Sequence, residues 1–151
     1  MVPEMSLDRL VGTWDVEAVL DGKRVAGSTA TFAWTEDGAF LVERDDGEPA
    51  GPDVPREWIE NIPFPCVSVI GRDDDRGELT MLYADARGVR RVYSMSFEGD
   101  TWRRWRNAPG FNQRFTGTFD EAGTMITGFW EMSKDGVTWS KDFDLVYRKR
   151  R

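Results

Sequence analysis

The chain has 151 residues, enough for one domain with a substantial core, and its 20 basic and 27 acidic side chains give a formal net charge of -7. This acidic balance disfavours a general affinity for nucleic acid or for an anionic membrane, and we expect neither as a partner. The absence of histidine excludes Ser-His-Asp and Cys-His catalysis, His-ligated zinc and haem held by a histidine, and the single cysteine, Cys66, excludes a disulfide within the chain.

The first predicted strand begins in the segment 10–14 and runs to about Leu20. From Trp14 onward, alternate side chains are apolar and the intervening ones are mostly polar, which is the period of two that a half-buried strand requires. Ahead of this strand, Ser6 is expected to cap one helical turn, residues 7–10, that covers the floor of a barrel.

The next two strands are predicted to form a hairpin. A turn signal at Asp21-Gly22 leads into the second strand, and Ala30 and Trp34 share one of its faces. A further turn signal at Glu36–Gly38 leads into the third strand, which begins around Phe40.

The segment 45–65 contains five of the seven prolines. Because proline removes a donor from the hydrogen-bonded ladder, we expect no central strand within it. Residues 56–62 are expected to form one or two helical turns with Trp58, Ile59 and Ile62 facing inward. Two interpretations stay open, a functional lid or a packed connecting loop whose Trp58 fills the core.

From Cys66 onward, turn signals recur at almost regular intervals and divide the chain into further strands. The predicted strands are 66–71, 79–84, 89–97, 101–106, 112–119, 124–132 and 137–147. With roughly ten strands and no long helix, the chain is predicted to be an all-β, antiparallel up-and-down β-barrel, with residues 1–151 forming a single domain. Closure into a barrel also removes exposed sheet edges.

No pattern in the chain indicates a metal or a cofactor, and we expect neither. The acidic turn 73–75 lacks the alternating ligands and the distal glutamate of a calcium-binding loop, so we interpret it as a solvated hairpin tip. The basic end, residues 148–151, is interpreted as a solvated tail.

The Gly12-x-Trp14 motif at the head of the first strand resembles the start of the calycins, the superfamily of lipocalins, fatty-acid-binding proteins and nitrobindin-like barrels. The resemblance implies that Trp14 plugs the closed end of the barrel under a basic side chain from the last strand, for which Arg148 is the matching residue. The lack of histidine departs from the haem-binding nitrobindins.

The chain is also similar to a group of bacterial lipocalin-like proteins that have no established activity. This similarity supports the barrel fold and implies no reaction. The passages that carry it are 32–34, 85–89, 102–106, 113–117 and 142–145.

A barrel of this size either fills its interior with side chains or encloses one small ligand, and the seven tryptophans suit both uses. Polar or aromatic side chains that share a strand face with core residues are candidates for ligand binding. In the strand 101–106, the alternation leaves open whether the set with Arg104 or the set with Arg103 points inward. The candidates are Arg91, Tyr93, Arg104, Arg106, Gln113, Trp130 and Tyr147.

An arginine inside a barrel must be paired or must meet an anion, because an uncompensated buried charge costs several kcal/mol. Arg91 and Tyr93 are therefore predicted to form a carboxylate receptor, through a forked charge-assisted contact and a hydroxyl donor. Their spacing is similar to the Arg-x-Tyr pair with which fatty-acid-binding proteins hold a carboxylate, although here it lies on a middle strand. The alternative is that Arg91 faces solvent or pairs with Glu131 or Asp142.

The favoured function is binding of a small apolar or aromatic ligand, which could carry a carboxylate, by a cytoplasmic barrel without catalysis. The first alternative is a cofactor-free lyase or isomerase acting on an aromatic acid, similar to the bacterial phenolic acid decarboxylases, with Arg91, Tyr93 and Glu131 supplying the reactive side chains. The second is a protein-interaction module, and a homodimer is left open. The cytoplasmic expectation rests on the lone cysteine and on residues 1–6, which lack the charged and apolar regions of a signal peptide.

Overall fold

The computed structural model describes residues 7–49 and 54–151, and this part of the chain contains ten strands. A 3-10 turn, Glu36–Gly38, joins the second and third strands, and a five-residue helix, α1 (Arg56–Glu60), precedes the fourth. The strands are β1 (Gly12–Leu20), β2 (Lys23–Thr35), β3 (Phe40–Pro49), β4 (Cys66–Arg72), β5 (Leu79–Asp85), β6 (Arg90–Glu98), β7 (Thr101–Arg106), β8 (Asn112–Phe119), β9 (Met125–Ser133) and β10 (Ser140–Lys149).

The strands close into an antiparallel barrel, because each pairs with its neighbours in sequence and β1 also pairs with β10. The predicted fold class, an up-and-down barrel of ten strands, is confirmed. The last strand, β10, begins at Ser140, three residues later than predicted, because Val137 lies outside the strand and is 82% exposed. In the described ranges, no helix is long and apolar enough to cross a membrane.

One end of the barrel is closed by Trp14 and by the helical turn that precedes β1. Leu7 and Leu10 of this turn are buried, and Trp14 has no exposed surface. The indole nitrogen of Trp14 donates a hydrogen bond to the carbonyl oxygen of Leu10 at 2.8 Å, which attaches the turn to the plug. Ser6, the predicted cap of this turn, lies outside the described residues.

The basic side chain over the plug is Lys149, and the prediction of Arg148 for this role is wrong. The Lys149 ammonium lies 5.3 Å from the centre of the Trp14 ring, and the two residues face each other where β1 meets β10. Arg148 points to the outer face, where it forms an ion pair with Glu17. Gly12 allows the close approach of Lys149, since its φ is +131° and a Cβ there would lie 2.9 Å from Lys149 Cε.

A cluster of aromatic side chains fills the barrel above its floor. Phe32, Trp102 and Phe115 are almost completely buried, and the rings of Trp102 and Phe115 lie 5.2 Å apart. Gly117 and Gly128 face each other across β8 and β9, and the ring of Phe115 lies against both. The two glycines therefore provide the space that this ring occupies.

β3 runs further than predicted and includes residues 45–49 of the proline-rich segment. All residues of β3 pair with β2, whereas only residues 41–45 of β3 pair with β4. Beyond Asp45, β3 is therefore an edge strand, the position in a sheet where a proline such as Pro49 is tolerated.

The rest of the proline-rich segment brings α1 to the open end of the barrel. The ring of Trp58 packs edge-on against Phe143 at 5.0 Å, in agreement with the prediction that Trp58 faces inward. Ile59, which was also predicted to face inward, is 52% exposed, because the next position on so short a helix points away from Phe143. Residues 50–53, including Pro52, lie outside the described residues.

Candidate functional site

The barrel contains a cavity of about 470 Å³ between the aromatic cluster and α1. Along β1, Val16 and Ala18 line the cavity while Trp14 does not, so the cavity lies at the end away from the floor. Trp58 and Ile62 border it on the side of α1. Cavities of this size are typical of sites for small organic molecules.

Most of the candidate ligand-binding residues border this cavity. Arg106 does not border the cavity, because it is the last residue of β7. It lies instead beside a separate depression on the outside of the barrel, together with Leu82 and Val92. The candidates that line the cavity are Arg91, Tyr93, Arg104, Gln113, Trp130 and Tyr147.

Arg91 and Tyr93 on β6 share one acceptor on β8. The Oε1 atom of Gln113 accepts a hydrogen bond from the Tyr93 hydroxyl at 3.0 Å and another from Arg91 Nη1 at 3.2 Å. The Arg91 guanidinium also lies 5.2 Å from the centre of the Phe111 ring. Because the amide acceptor is neutral, Arg91 keeps its positive charge beside the cavity.

Neither carboxylate considered as a partner of Arg91 takes that role. Glu131 lies on β9 beside Arg114 of β8, and the Arg114 guanidinium donates hydrogen bonds to both Glu131 oxygens, at 2.8 and 3.2 Å. Glu131 is not among the cavity-lining residues, so a lyase built on Arg91, Tyr93 and Glu131 lacks its carboxylate. Asp142 lines the cavity, and burial raises its pKa.

Arg104 is the inward-facing arginine of β7, while Arg103 is exposed and forms an ion pair with Glu98. The alternation left open in the sequence is thus resolved in favour of Arg104, which is 5% exposed. Its guanidinium lies 4.1 Å from the ring centres of both Trp102 and Phe115.

The polar atoms of Arg104 are incompletely satisfied. Its Nη2 donates a hydrogen bond to the Tyr147 hydroxyl at 3.2 Å, whereas its Nε is buried without a partner. Among the described residues, no carboxylate forms an ion pair with Arg104. An unpaired buried donor costs about 1–3 kcal/mol, so a ligand atom that accepts from it would bind favourably.

Two acidic side chains of β3, Glu43 and Asp45, also line the cavity, and sequence reasoning missed them. Glu43 is 4% exposed, and its side chain shares a hydrogen bond with that of Asp45. The Cys66 thiol donates to Asp45 Oδ2 at 3.4 Å, and Asp45 Oδ1 is buried without a partner. The missed signal is the alternation that starts at Leu41, which is fully buried and places positions 43 and 45 on the inner face.

Burial raises the pKa of Asp45 well above its usual value, and the charge of Glu43 together with the hydrogen bond to it raises this pKa further. Burial also raises the pKa of the Cys66 thiol. Asp45 therefore retains its proton at a pH where an exposed aspartate would be ionised.

A second acidic group near the cavity is fully neutralised by its neighbours. The Tyr83 hydroxyl donates to Asp85 Oδ2 at 2.6 Å, and Arg87 donates to the same oxygen at 2.6 Å. Burial opposes the ionisation of Asp85, but the hydrogen bonds from Arg87 and Tyr83 outweigh it and lower its pKa to about 2. Tyr83 and Arg87 thus border the cavity while both bind Asp85, Tyr83 by a hydrogen bond and Arg87 by an ion pair.

Replacement of Asp45 by asparagine is expected to change the pH dependence of stability. As the pH rises above 3.8, the usual pKa of an aspartate carboxyl group, the unfolded chain loses the Asp45 proton while the folded chain retains it. The wild type therefore loses stability relative to the variant. Urea denaturation from pH 4 to pH 7 should therefore show a growing advantage for Asp45→Asn. Asp46→Asn, at an exposed neighbour, is the control, and a constant difference between Asp45→Asn and wild type would contradict the assignment.

The acidic turn after β4 forms its own hydrogen bonds. The carboxylate of Asp73 accepts from the backbone nitrogens of Asp75 and Arg76, at 2.9 and 3.0 Å. Within the described part of the chain, no group of three or more acidic or cysteine side chains is arranged to hold a metal ion.

Comparison with known proteins finds similarity in structure. No protein-family model matches the chain, and no curated protein matches its sequence. The crystal structure of Rv2717c from M. tuberculosis is similar, with a TM-score of 0.51 and 14% sequence identity over 97% of this chain and 96% of that one. The likeness extends over nearly the full length of both chains and, at this identity, shows the fold alone.

Proposed function

We propose that this barrel binds a small aromatic or apolar molecule in its lumen. The observation that carries the proposal is the cavity of about 470 Å³, which combines aromatic walls with unpartnered polar atoms of Arg104 and Asp45. Water-excluding walls with a few convergent polar groups are typical of ligand sites. These atoms, which have no partner in the protein, can form hydrogen bonds with a ligand.

The polar end of the proposed ligand is a carboxylate held by Arg91 and Tyr93. Both side chains already converge on Gln113 Oε1, so their donors point to one place. A carboxylate beside Gln113 would replace a neutral acceptor with a charged one, and such contacts are about twice as strong. The calycin resemblance at Gly12 and Trp14 supports a ligand-binding barrel of calycin type as part of this proposal, and the likeness to Rv2717c supports its barrel fold alone.

Binding of acids can be measured directly. A panel of aromatic and fatty acids is expected to quench tryptophan fluorescence saturably, because Trp130 and Trp58 line the cavity. Arg91→Met keeps most of the stem volume and removes the charge, so acid binding should weaken by about 1.5–3 kcal/mol, the worth of a hydrogen bond to a charged group.

The matched control is Arg90→Met, since Arg90 is exposed on the neighbouring outer position of the same strand. Its acid affinity should equal that of the wild type. Unchanged binding in Arg91→Met would overturn the carboxylate assignment, and an absence of binding by every acid in the panel would leave the lumen without the proposed type of ligand.

A further inference from the structure

Among the described residues, no arginine or lysine forms a direct ion pair with the acidic pair on β3, and Arg104 acts on Asp45 only through space. Glu43 shares a hydrogen bond with Asp45, and Asp45 accepts one from the Cys66 thiol. Neither carboxyl group forms an ion pair with a described arginine or lysine. The buried, unpartnered Oδ1 atom of Asp45 is a free acceptor at this position.

The positive charge of Arg104 does not neutralise the pair at close range. Arg104 is stabilised instead by the rings of Trp102 and Phe115, each 4.1 Å from the guanidinium, and by Trp130 at 5.0 Å. A guanidinium held by aromatic faces in this way needs no carboxylate contact. Arg104 therefore attracts Asp45 through space but leaves the oxygens of the acidic pair without a direct cationic contact.

The remaining charges around the cavity do not neutralise the pair either. Arg87 forms an ion pair with Asp85, and Arg91 donates a hydrogen bond to Gln113. Two further acidic side chains, Glu57 and Asp142, line the cavity. Among the described residues, no positive group thus contacts the acidic pair directly, and a buried anionic site without such a contact is costly.

The wall beside the pair is built from small side chains. Ala30 of β2 lies directly opposite Asp45, and Ser28 lies on the same face two residues before it. Ala30 and Ser28 line the cavity, and so does Ser68, which pairs with Glu43 across β4 and β3. These small residues leave room for a ligand group to reach the carboxyl oxygens.

We propose that Glu43 and Asp45 receive a protonated amino group of the ligand, so that the molecule bound in the lumen is a small aromatic amine. The inference rests on the proposed function, because it assigns a second polar end to the same ligand. An ammonium group supplies up to three donors, which match the free Asp45 oxygen and the Glu43 carboxylate. A bound cation also supplies the charge that the pair lacks.

The test compares three probes of the same shape by calorimetric titration at pH 7. They are 3-phenylpropanol, which is neutral, 3-phenylpropionate, which carries only a carboxylate, and 3-phenylpropylamine, which carries only an ammonium group. The amine is expected to bind about 10-fold more tightly than the alcohol, the factor that corresponds to one charge-assisted hydrogen bond.

Isosteric variants locate the amine site. In the double variant Glu43→Gln/Asp45→Asn, the preference for the amine over the alcohol should disappear while alcohol binding remains. Glu57→Gln is the matched control, since it removes an exposed carboxylate from the rim of the same cavity and should leave the preference intact. Thermal melts show whether the double variant folds. If it does not fold, the single variants Glu43→Gln and Asp45→Asn are used in its place, and each is expected to reduce the preference for the amine.

The outcomes separate the two proposals. Binding of the alcohol or the acid without a preference for the amine overturns the amine assignment and leaves the proposed function standing. A preference for the amine that survives in the folded variants also overturns it, because the amine then binds elsewhere. Failure of all three probes to bind contradicts the proposed function itself.

Discussion

Replacement of Trp14 by alanine is expected to lower the free energy of unfolding by about 3–5 kcal/mol, the usual cost of truncating a buried large aromatic side chain. Trp14 is fully buried, and its ring meets Phe119 and Tyr147 edge-on at 6.4 and 6.3 Å. The substitution also removes the hydrogen bond that ties the preceding turn to the floor through Leu10. Urea denaturation monitored by circular dichroism measures the change.

The chain offers a matched control for this substitution. Trp139 lies just before β10, is only half-buried and contacts the guanidinium of Arg114 at 4.0 Å. Trp139→Ala should cost less than about 1 kcal/mol, since it opens no cavity in the core. A loss of under about 1 kcal/mol in Trp14→Ala would mean that Trp14 is not the plug of the barrel.

The second large effect is expected at Gly128, where even a methyl group has no space. A Cβ at this position would lie 2.6 Å from Phe115 Cζ and 2.8 Å from the carbonyl oxygen of Thr116. The ring cannot withdraw, because it is packed against Trp102 and Trp130. Gly128→Ala should therefore destabilise the barrel by about 1–3 kcal/mol, the range for overpacked cores.

Gly27→Ala is the comparison for Gly128→Ala, because both glycines lie within strands. A Cβ at Gly27 would meet only the guanidinium of Arg24, at the flexible end of that side chain. Its cost should stay below about 0.5 kcal/mol, since alanine is also less costly to order than glycine. Equal losses in the two variants would show that the contact with Phe115 does not limit the size of residue 128.

Much of the fold follows from local patterns in the sequence. Alternating apolar side chains and glycine-containing turns predict the strands from Cys66 onward within a few residues, apart from the start of the last one. The extent of β3 was not predictable in this way, because the effect of Pro49 depends on which strands pair beside it. That pairing is a property of the closed barrel and leaves no local trace in the sequence.

The candidate site was predictable where a polar residue shares a face with obvious core residues. Arg91, Arg104 and Tyr147 fall in this class, and they line the cavity. Glu43 does not fall in this class, because Phe40, the apolar residue at which the third strand begins, is 45% exposed and the inner face begins at Leu41.

Lys149 was missed for a different reason, since the pairing of the first and last strands decides which basic residue faces Trp14. The register between strands so distant in sequence is set by turns, bulges and barrel closure together. One such bulge lies in β10 between Lys141 and Phe143, and it shifts the positions that face the lumen.

The pairing of β1 with β10 also determines when the molecule can complete its folding. Arg150 binds Asp15, a residue 135 positions earlier, so the last contacts of the barrel join segments from opposite ends of the chain. During synthesis, β1 emerges before β10 and cannot pair with it until the intervening strands, β2 to β9, have also been made. In that interval it presents an unpaired edge, the feature through which incomplete β proteins associate with one another. The high contact order of the same pairing implies slow folding compared with a helical protein of this length, because the loop-closure entropy is paid before the contacts form.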